Sequence, residues 1–150
     1  MCMKLRFRDF FPKTTEEPIT VYKVLRVEND AYSKKIEMSS PHIGTIYRLG
    51  QLMKAKMSKS LRSVFPVSFN VNHGLHTFVN LRDAIDQSVI CFRDNYWQDQ
   101  WSGENSVSYK VFECEIPAGS QYYRGVWASR LPKLVPNIVS NQLLVIKKVY

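Results

Sequence analysis

Histidine and cysteine are the side chains of this sequence that could bind a metal ion or attack a substrate, and the chain has three of each. His73 and His76 lie three positions apart around Gly74, without a cysteine or clustered carboxylates beside them. A zinc site needs three or four converging ligands. Either Cys91 or Cys114 could meet His76 as a nucleophile beside its base, although both lie on apolar faces, where cysteine behaves as a small hydrophobic side chain. We therefore expect no metal site and assign no catalytic residue.

Two further groups of side chains could take part in catalysis or in ligand binding. Glu113 and Glu115 alternate along one segment, so they could form an acid/base pair on one face of a strand or be a solvated strand face. A set of aromatic residues could stack on sugars or bases, or it could hold a loop against the core. The set consists of Phe92, Tyr96, Trp97 and Trp101, with Arg93. The six glycines are scattered and form no phosphate-binding loop.

Positive charge is concentrated in one part of the sequence. The net charge is +8, and no acidic residue lies between Glu37 and Asp83. We predict that five basic residues of this stretch share one exposed surface: Arg48, Lys54, Lys56, Lys59 and Arg62. Such a surface would attract an acidic protein, a nucleotide or a nucleic acid. The alternative is that these side chains only solvate the surface.

The elements that must position these groups are mostly strands. The apolar and β-branched content predicts core strands at residues 19–27, 75–79, 109–116 and 142–149. Helical spacing after a capping Asn80 predicts one helix over 81–91. We expect one α+β domain with a strand-rich core over 19–150, preceded by an N-terminal arm or edge strand over 1–18.

Other segments lack a clear strand or helix pattern. We predict a loop or short helix over 57–63, and a loop over the polar residues 93–107. A second long loop is expected after Gly125, because Pro132 and Pro136 interrupt that stretch.

The composition also restricts the cellular setting. No apolar run reaches the length of a membrane span, and the N-terminal residues have neither the apolar core nor the cleavage site of a secretory signal. The odd number of widely spaced cysteines does not form a disulfide scaffold. We expect a protein of the cytoplasm of the producing or host cell that does not associate with membranes.

The order of four segments resembles that of known proteins. Val21–Leu25 comes first, Gly74–Phe78 precedes the helix, Val111–Tyr122 contains a Pro117-Ala118-Gly119 corner, and Ser140–Val145 comes last. This order resembles short uncharacterised proteins of phages and mobile elements, and more distantly the ADP-ribosyltransferase fold. The resemblance implies a two-sheet core with a split sheet and a cleft for a nicotinamide dinucleotide, so NAD is a possible cofactor.

The resemblance also implies which residues line the cleft: Tyr22, His76, Phe78 and Gln142. The place of that family's catalytic glutamate reads Ser140-Asn141-Gln142-Leu143, and a neutral Gln142 does not supply the charge that stabilises the oxocarbenium ion. We therefore expect a non-catalytic binding module of the phage or mobile-element accessory type, with a basic face, that binds a nucleotide, a nucleic acid or an acidic protein.

Two alternatives remain open. One is an ADP-ribosyltransferase that uses NAD and recruits Glu113 or Glu115 as an atypical catalytic carboxylate. The other is a structural or interaction protein without a small-molecule site.

Overall fold

The computed structural model describes residues 3–5, 9–29, 36–41, 44–63, 68–100, 106–128 and 134–150. These residues form thirteen strands and one helix. The first strands are β1 (Met3–Leu5), β2 (Lys13–Thr14), β3 (Ile19–Asn29), β4 (Ile36–Ser39), β5 (Ile46–Tyr47), β6 (Leu52–Lys54), β7 (Ser58–Ser63), β8 (Ser68–His73) and β9 (Leu75–Phe78). The helix α1 (Leu81–Gln100) follows, and then β10 (Ser106–Ile116), β11 (Gln121–Ala128), β12 (Leu134–Ser140) and β13 (Gln142–Lys148).

All the described strands belong to one antiparallel sheet. Its order is β6-β13-β10-β3-β9-β12-β11-β1-β8-β7, with β2 beside β11, β4 beside β3 and β5 beside β4. The expected two-sheet α+β core with an ADP-ribosyltransferase-like split is therefore wrong. The reason is that β12 joins β9 to β11 and β1 joins β11 to β8, so that the strands continue into one sheet.

The four predicted core strands are confirmed as β3, β9, β10 and β13. The longest ladder joins β3 to β10 over eleven residue pairs, from Ile19↔Ile116 to Asn29↔Ser106. Alternation along both strands places one set of apolar side chains on each face of the sheet, as expected for strands that are buried on both sides.

The predicted helix exists, but it continues nine residues beyond the expected end at Cys91, to Gln100. The loop expected over 93–107 is therefore wrong for residues 93–100, which are helical. No glycine or proline interrupts residues 81–100, so nothing in the backbone chemistry stops the helix there. Among the described residues, no helix is both long and apolar enough to cross a membrane.

Two segments that we expected to be irregular are strands. Residues 58–63 form β7, which pairs with β8. Residues 134–140 form β12, which pairs with β9 and β11 even though it contains Pro136. Proline lacks an N–H donor, but the Pro136 carbonyl still accepts a bond from the Val79 N–H at 3.4 Å.

The sheet curls strongly, as its connections show. Only Asn141 separates β12 from β13, although β9, β3 and β10 lie between these strands in the sheet. The strands at the two ends of the order, β6 and β7, are joined by residues 55–57 alone. The bond from the Ala55 N–H to the Asn141 carbonyl at 2.9 Å ties these two connections together. The two edges of the sheet therefore approach each other at this end.

Three groups of buried side chains form the core. One group lies within the curl and includes Val21, Leu25, Leu143 and Val145. A second lies between the sheet and α1, and a third surrounds Met3 of β1. Residues 3–5, for which the sequence predicts an arm or an edge strand, pair with β11 on one side and β8 on the other, so β1 is an internal strand.

Candidate functional site

The ladder on one side of β3 has an opening. On the side away from β10, Tyr22 pairs with Phe78 of β9, and Arg26–Asn29 pair with β4. Residues 23–25 have no strand partner on that side among the described residues. The opening contains a cavity of about 30 Å³, which is enough for an ordered water or a small polar group.

Four parts of the fold surround this cavity, which we call the Lys23 cavity. Its lining comes from strand β3, from the β4–β5 region, from β9 with the residue before it, and from α1. The lining residues are Lys23, Val24, Ser40, Pro41, Tyr47, Gly74, His76, Phe78, Gln87 and Cys91.

Lys23 brings a positive charge into this apolar surrounding. It shares a face of β3 with the buried Val21 and Leu25 and is only 6% exposed. Its Nζ donates to the His76 carbonyl oxygen at 2.7 Å and lies 5.0 Å from the centre of the Tyr47 ring. No carboxylate lines the cavity, and no ion pair of Lys23 occurs in the described part of the chain. A buried charge without a counter-ion is costly, so an anion entering the cavity would be stabilised there.

His76 and Gln87 present polar atoms that the protein leaves unpaired. Both imidazole nitrogens of His76 and the Oε1 atom of Gln87 are buried and have no hydrogen-bond partner within the described structure. Burial, and then the charge of Lys23, lower the pKa of His76 to about 3. The ring is therefore neutral near pH 7 and offers one donor and one acceptor. Because buried polar atoms are nearly always paired, these atoms suit a polar guest in the cavity.

The cavity also brings Cys91 and His76 together, which is the arrangement considered for a nucleophile and its base. Burial raises the pKa of the Cys91 thiol, and Gln87 Nε2 donates to its Sγ at 3.4 Å. An activated pair needs a thiolate beside an imidazolium, and burial opposes both charges here. Cys114 does not line the cavity, and burial raises its pKa to about 12. No cluster of three or more His, Cys, Asp or Glu that could hold a metal occurs in the described residues.

Three of the four residues predicted for a cleft lie close together. His76 and Phe78 line the cavity, and Tyr22 pairs directly with Phe78 at its edge. Gln142 is not among the lining residues, and it pairs with Lys54 of β6. Lys23 and Gln87 were not predicted from the sequence. A lysine at the inward position between Val21 and Leu25 is the signal that could have found the site.

The predicted basic residues are in different situations. Arg48, Lys54 and Lys56 are exposed, near the edge formed by β6 and β13. Lys59 is half-buried, because its Nζ donates to the Phe10 carbonyl at 2.8 Å and lies 3.2 Å from the centre of the Phe10 ring. The side chain of Arg62 lies outside the described structure.

The β6–β13 edge carries more positive charge than the sequence prediction included. The Gly50 N–H donates to the Val145 carbonyl at 2.9 Å, so the turn after Arg48 lies beside β13. Lys147 and Lys148 at the end of β13 are exposed, and Lys147 pairs with Glu113 at 3.5 Å. We call Arg48, Lys54, Lys56 and Lys148 the basic edge.

The remaining candidates are separate from the cavity. Neither Glu113 nor Glu115 lines it. Phe92 lies on α1 and is half exposed, whereas the side chains of Tyr96 and Trp97, and Trp101 as a whole, lie outside the described structure.

Comparison with known proteins adds no family to these observations. No protein-family model matches the chain, and neither a curated protein nor a solved structure matches it significantly.

Proposed function

We propose that this chain is a non-catalytic binding module whose Lys23 cavity accepts a carboxylate group of its ligand. The observation that supports this most is the buried Lys23 ammonium, which has no carboxylate partner in the described structure and lies beside the unpaired atoms of His76 and Gln87. A carboxylate in the cavity would accept hydrogen bonds from the Lys23 ammonium and from the N–H of the neutral His76 ring.

Charge matching favours a carboxylate over a phosphate. The lining supplies one positive charge, because His76 is neutral. In a poorly solvated site, one cation is balanced by one anionic charge, and an excess charge is expensive to bury. The rings of Tyr47 and Phe78 can hold the apolar part of the ligand.

The same features argue against catalysis and against a dinucleotide in this cavity. The ADP-ribosyltransferase alternative needs a carboxylate at the site, and Glu113 and Glu115 are not among the lining residues. A cavity of this size holds a functional group, whereas a nicotinamide dinucleotide needs a cleft many times larger. The expected acidic protein partner fits, because a glutamate or aspartate side chain carries the group that the cavity would take.

Calorimetric titration tests the proposal. The probes are acetate, glutarate and an acidic peptide, with inorganic phosphate and NAD as comparisons. We expect the carboxylates to bind and Lys23→Met to abolish that binding, while Lys13→Met, which removes an exposed lysine outside both the cavity lining and the basic edge, leaves it unchanged. The proposal fails if no carboxylate binds, or if Lys23→Met binds as well as the unmodified protein. Failure would favour the alternative of a structural protein without a small-molecule site.

The basic edge supports a second candidate function, the binding of a polyanion. Arg48, Lys54 and Lys56 are exposed, and none of them forms an ion pair in the described structure. If they bind nucleic acid, affinity should fall steeply between about 50 and 200 mM salt, because bound counterions are released. Replacing all three with glutamine should remove this binding, whereas replacing Lys13 of β2 and Arg124 of β11 should not. Binding that is insensitive to salt would contradict this function.

A further inference from the structure

Aliphatic side chains lie exposed on the sheet beside the basic edge. Leu144 of β13 pairs with Leu52 of β6, so the two side chains share one face of the sheet. Ile146 follows Leu144 by two positions, and Val145 between them is fully buried. Because side chains alternate along a strand, Leu144 and Ile146 lie on the outer face, opposite the core. The outer face of β6 and β13 therefore carries a row of aliphatic side chains.

A fourth aliphatic side chain, Leu49, extends this row. It precedes Gly50, whose bond to the Val145 carbonyl holds the turn beside β13. We call Leu49, Leu52, Leu144 and Ile146 the apolar patch. Leu49, Leu52 and Ile146 are 55%, 40% and 42% exposed, and no member of the patch belongs to a core group of the described structure. Single exposed apolar side chains are common, but several at one place indicate an interaction surface.

Positive charge borders the apolar patch. Arg48 and Lys54 lie within two positions of patch leucines along the chain, and both are exposed. Of the two glutamates on the neighbouring strand β10, Glu113 is already paired with Lys147 at 3.5 Å, and Glu115 is half-buried. Cations therefore outnumber acidic side chains around the patch among the residues that the structure describes. Complementary charge across an interface favours an acidic partner here.

We propose that the apolar patch and the basic edge together bind an acidic amphipathic segment of a partner protein. The apolar side chains of that segment pack on the patch, and its carboxylates pair with Arg48, Lys54 and Lys56. The inference rests on the polyanion binding proposed for the basic edge, and it names the kind of polyanion. It does not depend on the Lys23 cavity, because the lining of that cavity includes no residue of this surface.

The aliphatic character and the position of the patch argue against two other anionic partners. Nucleic acid bases stack on aromatic rings, whereas all four side chains of the patch are aliphatic. Side chains that anchor a protein in a membrane reach beyond the lipid headgroups, but Leu52, Leu144 and Ile146 lie on strands of a sheet face and not at the tip of a loop. Apolar side chains of a protein segment can pack directly on such a face.

Calorimetry on the whole chain tests this assignment with three anionic probes. They are a synthetic amphipathic peptide with leucines on one side and glutamates on the other, polyglutamate, and a single-stranded DNA oligonucleotide. We expect the peptide to bind most tightly, because only the peptide uses both the apolar patch and the cations. A variant with Leu52→Ala and Ile146→Ala together should bind the peptide about tenfold more weakly and bind polyglutamate as before. Replacing Arg48, Lys54 and Lys56 with glutamine should weaken the binding of all three probes.

Leu134→Ala is the matched control, because Leu134 is 61% exposed at the start of β12 and is not part of the patch. Peptide binding should persist in this variant, and urea unfolding should show that the double alanine variant remains folded. The proposal is overturned if the peptide binds no more tightly than polyglutamate, if Leu134→Ala weakens its binding as much as the double variant, or if phosphatidylserine vesicles bind more tightly than the peptide.

The same probes separate a failure of this inference from a failure of the function on which it rests. If polyglutamate and DNA bind through the basic edge but the double alanine variant binds the peptide normally, the assignment of an amphipathic partner is wrong and polyanion binding stands. If none of the three probes binds, both are wrong.

Discussion

At the scale of single residues, the buried polar side chains distinguish this protein from an ordinary strand-rich domain. Lys23, His76 and Gln87 are all more than nine-tenths buried and line one cavity. Their polar atoms are left partly unpaired by the protein, which is rare in folded chains. Such residues lower stability unless something compensates for them, so a guest in the cavity should stabilise the fold.

His76 makes stability depend on pH. Its pKa is about 6.5 when unfolded and about 3 when folded, so the unfolded state binds the proton more readily. Stability is then fully present above pH 6.5 and is lost as the pH falls toward 3. We expect the free energy of unfolding to drop by about 2 kcal/mol between pH 7 and 5, measured by urea unfolding at each pH.

A pair of histidine variants isolates this effect. His76→Gln should remove most of the drop, because glutamine does not titrate. His73→Gln should keep it, since His73 is exposed and its Nδ1 lies 2.6 Å from the Ser58 hydroxyl. An equal drop in the His76→Gln variant would show that other groups cause it.

The sequence predicts part of this cavity and misses the part that carries the charge. His76 and Phe78 follow from the short strand after Gly74, and that strand exists. Lys23 was overlooked because a lysine in a strand usually points to solvent, although its alternation with Val21 and Leu25 places it on their buried face. Gln142 followed from the resemblance alone, and it is not among the residues that line the cavity.

At the scale of elements, the glycine between β8 and β9 fixes how closely the strands approach. Gly74 has φ of +126°, and a Cβ atom there would lie 2.4 Å from Val139 Cγ1. Gly119, in the turn between β10 and β11, also has positive φ, but a Cβ atom there would meet nothing within 4 Å. A side chain at Gly119 would therefore introduce backbone strain alone, whereas a side chain at Gly74 would add a steric clash.

Alanine at these two glycines should have different costs. Gly119→Ala should lower the free energy of unfolding by about 1 kcal/mol, which is the backbone cost alone. Gly74→Ala should cost about 3 kcal/mol, because overpacking against Val139 is added to the strain. Urea unfolding measures both, and equal costs would contradict the close approach of β9 to β12.

Strand and helix assignments succeed where the apolar pattern is strong. β3, β9, β10 and β13 are rich in buried apolar residues, and each is predicted. β7 has the sequence Ser-Lys-Ser-Leu-Arg-Ser, which has no strand pattern; pairing with β8 makes it a strand. Pro136 argues against β12 by local rules, and the burial of Val135, Ile138 and Val139 overrides that preference. The local sequence of β7 and of β12 does not predict that the segment pairs with neighbouring strands.

At the scale of the whole molecule, β1 connects two parts of the sheet. It lies between β11 and β8, and its side chains Met3 and Leu5 pack with Val71, Tyr123 and Val139. Without β1, the β7–β8 hairpin would lose its attachment to the rest of the sheet. The sequence predicts only an arm or an edge strand here, because three residues among basic neighbours do not indicate pairing on both sides.

Truncation of Met3 tests the role of β1. Met3→Ala should lower the free energy of unfolding by about 3 kcal/mol, because the side chain is fully buried. Leu52→Ala, at a side chain that is 40% exposed on β6, should cost less than about 1 kcal/mol. If both variants unfold at the same denaturant concentration, then β1 does not contribute to the core as described.

The pairing of β1 also has a consequence for how the chain is synthesised. Lys4 pairs with Val126, and β3 pairs along its whole length with β10, so the early strands are made long before their partners leave the ribosome. Until β10 and β11 emerge, β1 and β3 have open hydrogen-bonding edges that can pair with other chains. Folding that depends on such distant contacts is slow, on the order of milliseconds to seconds. The newly made chain should therefore need protection by chaperones until its last strands are complete.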